Sequence, residues 1–239
     1  MRAKMCILLL ILTSRACAQT DQTPASLLPT DPSRLPRLGD SISISDLSIP
    51  SKALKEIQRS QSSLKSGDVR SSAQHLERAL QIYPNYLEGH NSLGARYVDL
   101  GEYDKAATEF RKAIAIDSRV MQPINNLSVV LFLQQRYGEA EAAARRALDL
   151  DPRSPTARYM LGTILATEKR KPAEAMELLR QTKREFADSY LLLAQILLRR
   201  GSVEEAKSEL REYLAVPSPE KRQNVESWLA RLSQTPAAN

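Results

Sequence analysis

Beyond residue 50, apolar side chains recur three and four positions apart in short blocks with polar turns between them. Leu93, Tyr97 and Leu100 form one such face, and Ala106, Phe110 and Ala113 form the next. This is the spacing of amphipathic helices that each bury one stripe, and a pair of them predicts an antiparallel hairpin. The hairpin recurs. Leu93-Gly94, Tyr97, Gly101, Tyr103, Ala106, Phe110, Ala113 and Ile116 return 34 residues later as Leu127-Ser128, Leu131, Gln135, Tyr137, Ala140, Ala144, Ala147 and Leu150. One step back lies a more polar copy, Arg59-Ser60, Ser63, Gly67, Val69, Ser72, Leu76, Ala79 and Ile82. Forward come Leu161-Gly162 and Leu165, a two-residue insertion near Lys169-Arg170-Lys171, then Ala175 and Leu179 on a second helix that ends early. The fifth copy is Leu193-Ala194, Leu197, Gly201, Val203, Ala206, Leu210 and Tyr213. Units therefore run over 53–86, 87–120, 121–154, 155–186 and 187–218. A last helix, 219–233, is predicted to cover the open end of the stack with Val225, Trp228, Leu229 and Leu232, ahead of a flexible tail, 234–239. A fixed period of this length predicts an all-α solenoid in which each hairpin packs on its neighbours.

The turns and close contacts are also written in. Gly67, Gly101 and Gly201 share one repeat position between the two helices, where a left-handed residue ends a helix at little cost. Gly94 and Gly162 share another, with Ser60, Ser128 and Ala194 as equivalents. Glycine inside a helix gives up about 1 kcal/mol of propensity, so a small residue kept at this position predicts a neighbouring helix that approaches closely. Asn85 with Glu88 and Ser202 with Glu205 have capping-box spacing, while Ser154-Pro155 and Ser218-Pro219 pair an N-cap with a first-turn proline.

These residues resemble the tetratricopeptide repeat family, whose pattern is W-x2-L-G-x2-Y, then A-x3-F and a closing P. The resemblance covers residues 53–218, with the Trp position taken by Glu56, His90, Ile124, Arg158 and Tyr190. It implies a right-handed superhelical solenoid of stacked antiparallel helix hairpins, about five units with a capping helix, like exported bacterial members of the family. It also implies that a peptide or partner helix is bound in the concave groove lined by the first helices. Mapped copy by copy, the groove positions are Asn91, Ala95 and Val98; Asn125, Asn126, Val129 and Phe132; Tyr159 and Thr163; and Gln195. Carboxamides can bracket a peptide backbone with a donor and an acceptor each, and Phe132 and Tyr159 would supply apolar contact area. Some members grip the C-terminal carboxylate of heat-shock chaperones with Lys and Arg. The matching sites here include Asn91, Ala95, Asn126, Thr156 and Met160, so that cationic clamp is absent.

The N-terminus predicts a chain exported from the cytoplasm. Arg2 and Lys4, the apolar run Cys6 to Thr13 and the small-x-small site Ala16-Cys17-Ala18 read as a secretory signal over 1–18. The apolar run falls far short of the roughly 20 residues that span a bilayer, so no membrane insertion is expected after cleavage. A periplasmic or secreted chain beginning near Gln19 follows. Lipidation at Cys17 is the alternative, although Ser14-Arg15-Ala16 fits a bacterial lipobox poorly. Residues 19–50, with Pro24, Pro29, Pro32, Pro36 and Pro50 among Ser, Thr and Asp, read as a disordered linker. Arg2, Lys4 and Arg15 leave with the signal, which reduces the formal charge of +6 to +3 and argues against nucleic acid as a partner.

Candidate chemistry is sparse. Both cysteines, Cys6 and Cys17, lie in the signal, and the sequence carries no Gly-rich phosphate loop and no H-E-x-x-H. The expectation is therefore no enzyme, no catalytic residue, no metal and no cofactor. His90 is read as a partly buried packing residue, His75 as solvated, and Lys169-Arg170-Lys171 as a solvated turn. The function expected is a protein-binding scaffold in the periplasm or outside the cell; the alternative is an envelope-assembly chaperone or pilotin-like lipoprotein tethered through Cys17.

Overall fold

A computed structural model describes residues 49–216 and 221–234. The expected signal with Cys17, residues 19–48 of the linker, the Ser218-Pro219 cap and residues 235–239 of the tail lie outside the described residues. Among those described there are eleven helices and no strand. They are α1 (Ser51–Lys65), α2 (Val69–Ile82), α3 (Leu87–Asp99), α4 (Tyr103–Ile116), α5 (Met121–Leu133), α6 (Tyr137–Leu150), α7 (Pro155–Thr167), α8 (Pro172–Arg180), α9 (Asp188–Arg199), α10 (Val203–Ala215) and α11 (Arg222–Gln234). The fold is an all-α helical repeat. It divides into two compact units, residues up to Asn126 and residues from Leu127 onward.

In the first unit α1 pairs with α2, α3 pairs with α4, and α2 packs on α3. In the second, α7 pairs with α8, α9 with α10, and α11 packs on α10 through the buried Val225. Every hairpin turn solves the same problem, the unsatisfied carbonyls at the end of its first helix. The residues at one repeat position, Gly67, Gly101, Gln135, Lys169 and Gly201, all have positive φ, at 84°, 76°, 62°, 56° and 81°. The following N–H then reaches back five residues: Asp68 to Ser63, Glu102 to Tyr97, Arg136 to Leu131, Arg170 to Leu165 and Ser202 to Leu197, at 2.8–3.0 Å. This is the Schellman closure, and glycine adopts it without strain whereas Gln135 and Lys169 do not.

Close approach within each hairpin follows from the small repeat position on the first helix. A Cβ on Gly94 would stand 2.6 Å from the Phe110 ring, and one on Gly162 would stand 2.9 Å from Leu179. Where serine replaces glycine, its hydroxyl is paired. Ser60 Oγ lies 2.9 Å from Ser72 Oγ, and Ser128 Oγ donates to the Ala140 carbonyl at 2.9 Å.

The caps are more varied than the sequence suggests. Ser154 accepts from the Ala157 N–H at 3.3 Å, ahead of Pro155 in the first turn of α7, and Asp68 accepts from the Ser71 N–H at 2.9 Å. Asn85 is not a cap, because α3 starts two residues later with Tyr86 at the N-cap. Ser202 holds the N-cap position of α10 without a side-chain bond.

The fourth copy departs most. Its inserted turn puts a second residue, Lys171, in the left-handed region (φ 43°), and α8 has only nine residues. Thr182 ends the helix by donating to the Leu179 carbonyl, and Phe186 stacks on Tyr159 with ring centroids 4.5 Å apart. The inserted turn is also not simply solvated, since Arg170 bonds Glu141 at 2.6 Å and Glu168.

Two substitutions test these contacts by urea denaturation. Gly94→Ala gains helix propensity but drives its methyl into the buried Phe110 ring, and a net loss of about 1–2 kcal/mol is expected. Gln135→Gly relieves a left-handed non-glycine residue and should stabilise by about 1 kcal/mol.

Candidate functional site

The groove positions expected from the repeat fall into two environments. In the first unit, α3 carries Asn91, Ala95 and Val98, and the start of α5 carries Asn125 and Asn126. The Asn126 Nδ2 donates to the Asn91 Oδ1 at 3.0 Å, which links carboxamides from neighbouring first helices. Asn125 Oδ1 beside them is buried and accepts no hydrogen bond from the described residues. Ala95 is half-buried, and Val98 is 2% exposed. Asn91 is itself only 8% exposed, so this face presents the half-buried Asn125 and Asn126 carboxamides, with one buried acceptor left over.

In the second unit the expected residues mostly face inward. Val129, Phe132, Tyr159 and Thr163 are 2%, 3%, 2% and 4% exposed. Phe132 meets Tyr137 edge-on at 5.3 Å, and the Thr163 hydroxyl donates to the Tyr159 carbonyl at 2.7 Å. Gln195 on α9 is exposed. Its neighbour one turn on, Arg199, donates Nη1 to the Ala166 carbonyl at 3.0 Å, joining the ends of α9 and α7. Large rings in this unit thus contribute packing, while the accessible polar groups are a carboxamide and a guanidinium.

The first unit also holds a polar pattern that single residues did not reveal. His75 Nδ1 lies 2.7 Å from Glu56 Oε2, and His90 Nδ1 lies 2.7 Å from Glu109 Oε2. His75 is therefore a half-buried partner of Glu56 rather than a solvated side chain. Both pairs are separated by 19 residues and occupy the same two repeat positions, with acid and imidazole exchanged. Stepping 34 residues from Glu56 and His75 lands on His90 and Glu109, so the signal was available to a comparison of polar positions between copies. His90 Nε2 also meets the Pro84 carbonyl at 2.8 Å, and Lys112 Nζ reaches Glu109 Oε1 at 2.7 Å. Burial opposes ionisation of Glu109, but the bonds from His90 and Lys112 outweigh it and hold the carboxyl below its usual range. The His75 bond does the same for Glu56. Tyr97 donates its hydroxyl to Glu77 Oε1 at 2.7 Å, and burial followed by that carboxylate pushes the phenol up.

Among the described residues, no group of three or more His, Cys, Asp or Glu side chains is placed to hold a metal ion. None of their helices is long and apolar enough to cross a membrane.

Two tetratricopeptide repeat profiles match this architecture, one over residues 57–119 and 129–189 and the other over 187–217. The chain belongs to the tetratricopeptide repeat family. Such repeats are scaffolds for protein–protein interaction. Among tetratricopeptide repeat proteins, the chain is similar to the type IV pilus assembly protein PilF of Pseudomonas aeruginosa, 32% identical over 116 residues. That match takes in 48% of this chain and 46% of PilF, so it spans about half the length of that relative. A solved structure described as a functional characterisation of PilF from the same organism superposes with a TM-score of 0.64 at 25% identity, covering 77% of this chain and 85% of that one. MamA of Desulfovibrio magneticus shares the fold, with a TM-score of 0.65 at 18% identity over 71% of this chain and 97% of the MamA chain.

The lowered carboxyl of Glu109 predicts a pH dependence. A carboxyl depressed in the folded state stabilises above its ordinary pKa of 4.5, and that contribution is lost as pH falls through the folded value. Glu109→Gln should be less stable than the parent at pH 7. In thermal melts followed from pH 7 to 3, the margin should narrow below pH 4.5.

Proposed function

We propose that this chain is a non-enzymatic scaffold outside the cytoplasm that holds a peptide or partner helix of another protein along the first-helix faces of its repeats. The observation that carries the reading is the carboxamide group of the first unit. Asn91 and Asn126 fix one another, and Asn125 has a buried oxygen with no partner among the described residues. A desolvated acceptor left unpaired costs roughly 1–3 kcal/mol, so a rotation of the half-buried Asn125 side chain that turns Oδ1 outward to an incoming N–H is favoured. Asn91, Ala95, Asn125 and Asn126 line the site in the first unit, and Gln195 is the exposed contact in the second. Val98, Val129, Phe132, Tyr159 and Thr163 support it from beneath, where they set the spacing of the helices rather than touch the guest.

Export supports placing the scaffold in the periplasm or outside the cell, since residues 1–18 have the charge and apolar pattern of a secretory signal. A second reading is favoured by the similarity to PilF, a type IV pilus assembly protein. In it the chain serves assembly of an envelope structure, tethered through a lipidated Cys17.

With the partner recovered from the native source, Asn91→Ala combined with Asn125→Ala is expected to weaken binding about tenfold by calorimetry, the worth of one or two neutral hydrogen bonds. Unchanged affinity would place the binding surface elsewhere. Phe132→Ala and Tyr159→Ala instead should cost about 3–5 kcal/mol of stability, as large-to-small changes in a core do. Mass spectrometry of the mature N-terminus separates the two readings: Gln19 supports the first, acylated Cys17 the second.

A further inference from the structure

The first unit has an open cleft of about 810 Å³ on a different side of α3 from the carboxamides. It is lined from α2 by Glu77 and Leu80, from α3 by Leu93 and Tyr97, and from the end of α4 by Ile116. At about 100° per residue around a helix, the stripe of His90, Leu93 and Tyr97 is turned by roughly a third of a revolution from Asn91, Ala95 and Val98.

Its electrostatics are uneven. Glu109 on one wall is neutralised, with both oxygens engaged by Lys112 and His90. Glu77 on the other wall receives only the neutral Tyr97 hydroxyl and forms no ion pair among the described residues. It is half-buried, so its charge is weakly screened. Below it lie the buried Leu80 and Leu93 side chains, and Ile116 stays 39% exposed at the end of α4. The exposed carboxamides of Gln81 and Asn85 stand at the mouth. One uncompensated carboxylate above an aliphatic wall is the complement of a long basic side chain, which packs its methylenes on apolar surface and carries its charge at the tip.

We infer that this cleft is a second docking site, which takes an arginine or lysine flanked by apolar residues on a segment of a protein partner, with the cation on Glu77 and the stem against Leu80, Leu93 and Ile116. The site stands apart from the carboxamide surface, so either can fail without the other.

Three labelled heptapeptides test it against the full chain by fluorescence anisotropy: Gly-Ala-Leu-Arg-Leu-Ala-Gly and its counterparts with Glu or Ala in place of Arg. The arginine peptide should bind at least tenfold more tightly than either. Glu77→Gln keeps an acceptor for the Tyr97 hydroxyl and removes the charge, and should cost the arginine peptide about tenfold while leaving the alanine peptide unchanged. Amide shifts in heteronuclear NMR should cluster on Glu77, Leu93 and Ile116. Equal binding of the three peptides, full affinity in Glu77→Gln, or shifts confined to Asn91 and Asn126 would each overturn the site. Loss of arginine-peptide binding in Asn91→Ala with none in Glu77→Gln would assign the peptide to the carboxamide surface instead.

Discussion

The separation between the two helices of a hairpin is the quantity on which this structure depends. It is set at one repeat position, where Gly94 and Gly162 leave no room for a Cβ and Ser60 and Ser128 pair their hydroxyls across the contact. Helices that approach this closely bring the large residues of the second helix over the backbone of the first, as Phe110 does over Gly94. The resulting cores are narrow and dense. Alanine on the second helix completes them, with Ala106, Ala140, Ala175 and Ala206 fully buried. The first helices are drawn into these cores as well, with Val98, Phe132, Tyr159 and Thr163 buried, so only part of each first-helix face stays accessible, as at Gln195.

A dense narrow core has little tolerance for polar groups, so the ones present are matched. Thr182 bonds Ser189 and the Leu179 carbonyl in the shortened fourth copy, and Lys183 meets Glu209 at 2.8 Å and the Tyr190 ring at 4.7 Å. The same holds for His90, Glu109 and Lys112 in the first unit. Against this background, two groups stand out among the described residues: Asn125 Oδ1, buried without a hydrogen bond, and the half-buried Glu77 carboxylate, which forms no ion pair at the edge of the cleft.

Most of the fold was legible in the sequence because it is periodic. Gly67, Gly101 and Gly201 mark the turns, and the structure adds Gln135 and Lys169 in the same left-handed conformation. Those two are dictated by the repeat rather than by their own preferences, which is why a reading from propensity passes over them. The ends of helices were less legible. Asn85 has the right spacing for a cap, but the stacked Tyr83 and Tyr86 rings, 5.9 Å apart, accompany a junction that delays the start of α3 to Leu87. Side-chain exposure was least legible, because a position that faces a groove in the general repeat can be covered by local packing, as Phe186 covers Tyr159. Repeat register fixes where a Cα lies, and only neighbouring side chains fix what remains accessible.

The exchanged pairs Glu56–His75 and His90–Glu109 bear on how such a chain can change over generations. Duplicated segments recombine readily with one another. A crossover inside the hairpins would join the first helix of one copy to the second helix of the other, setting Glu56 against Glu109 or His90 against His75. The first hybrid sets two carboxylates together in a poorly solvated position, which disfavours ionising both; the second sets two imidazoles together and loses the bond to a carboxylate. A crossover between complete hairpins keeps every acid with its own imidazole. Exchange of whole hairpins would thus preserve both acid–imidazole contacts, and exchange of single helices would break both.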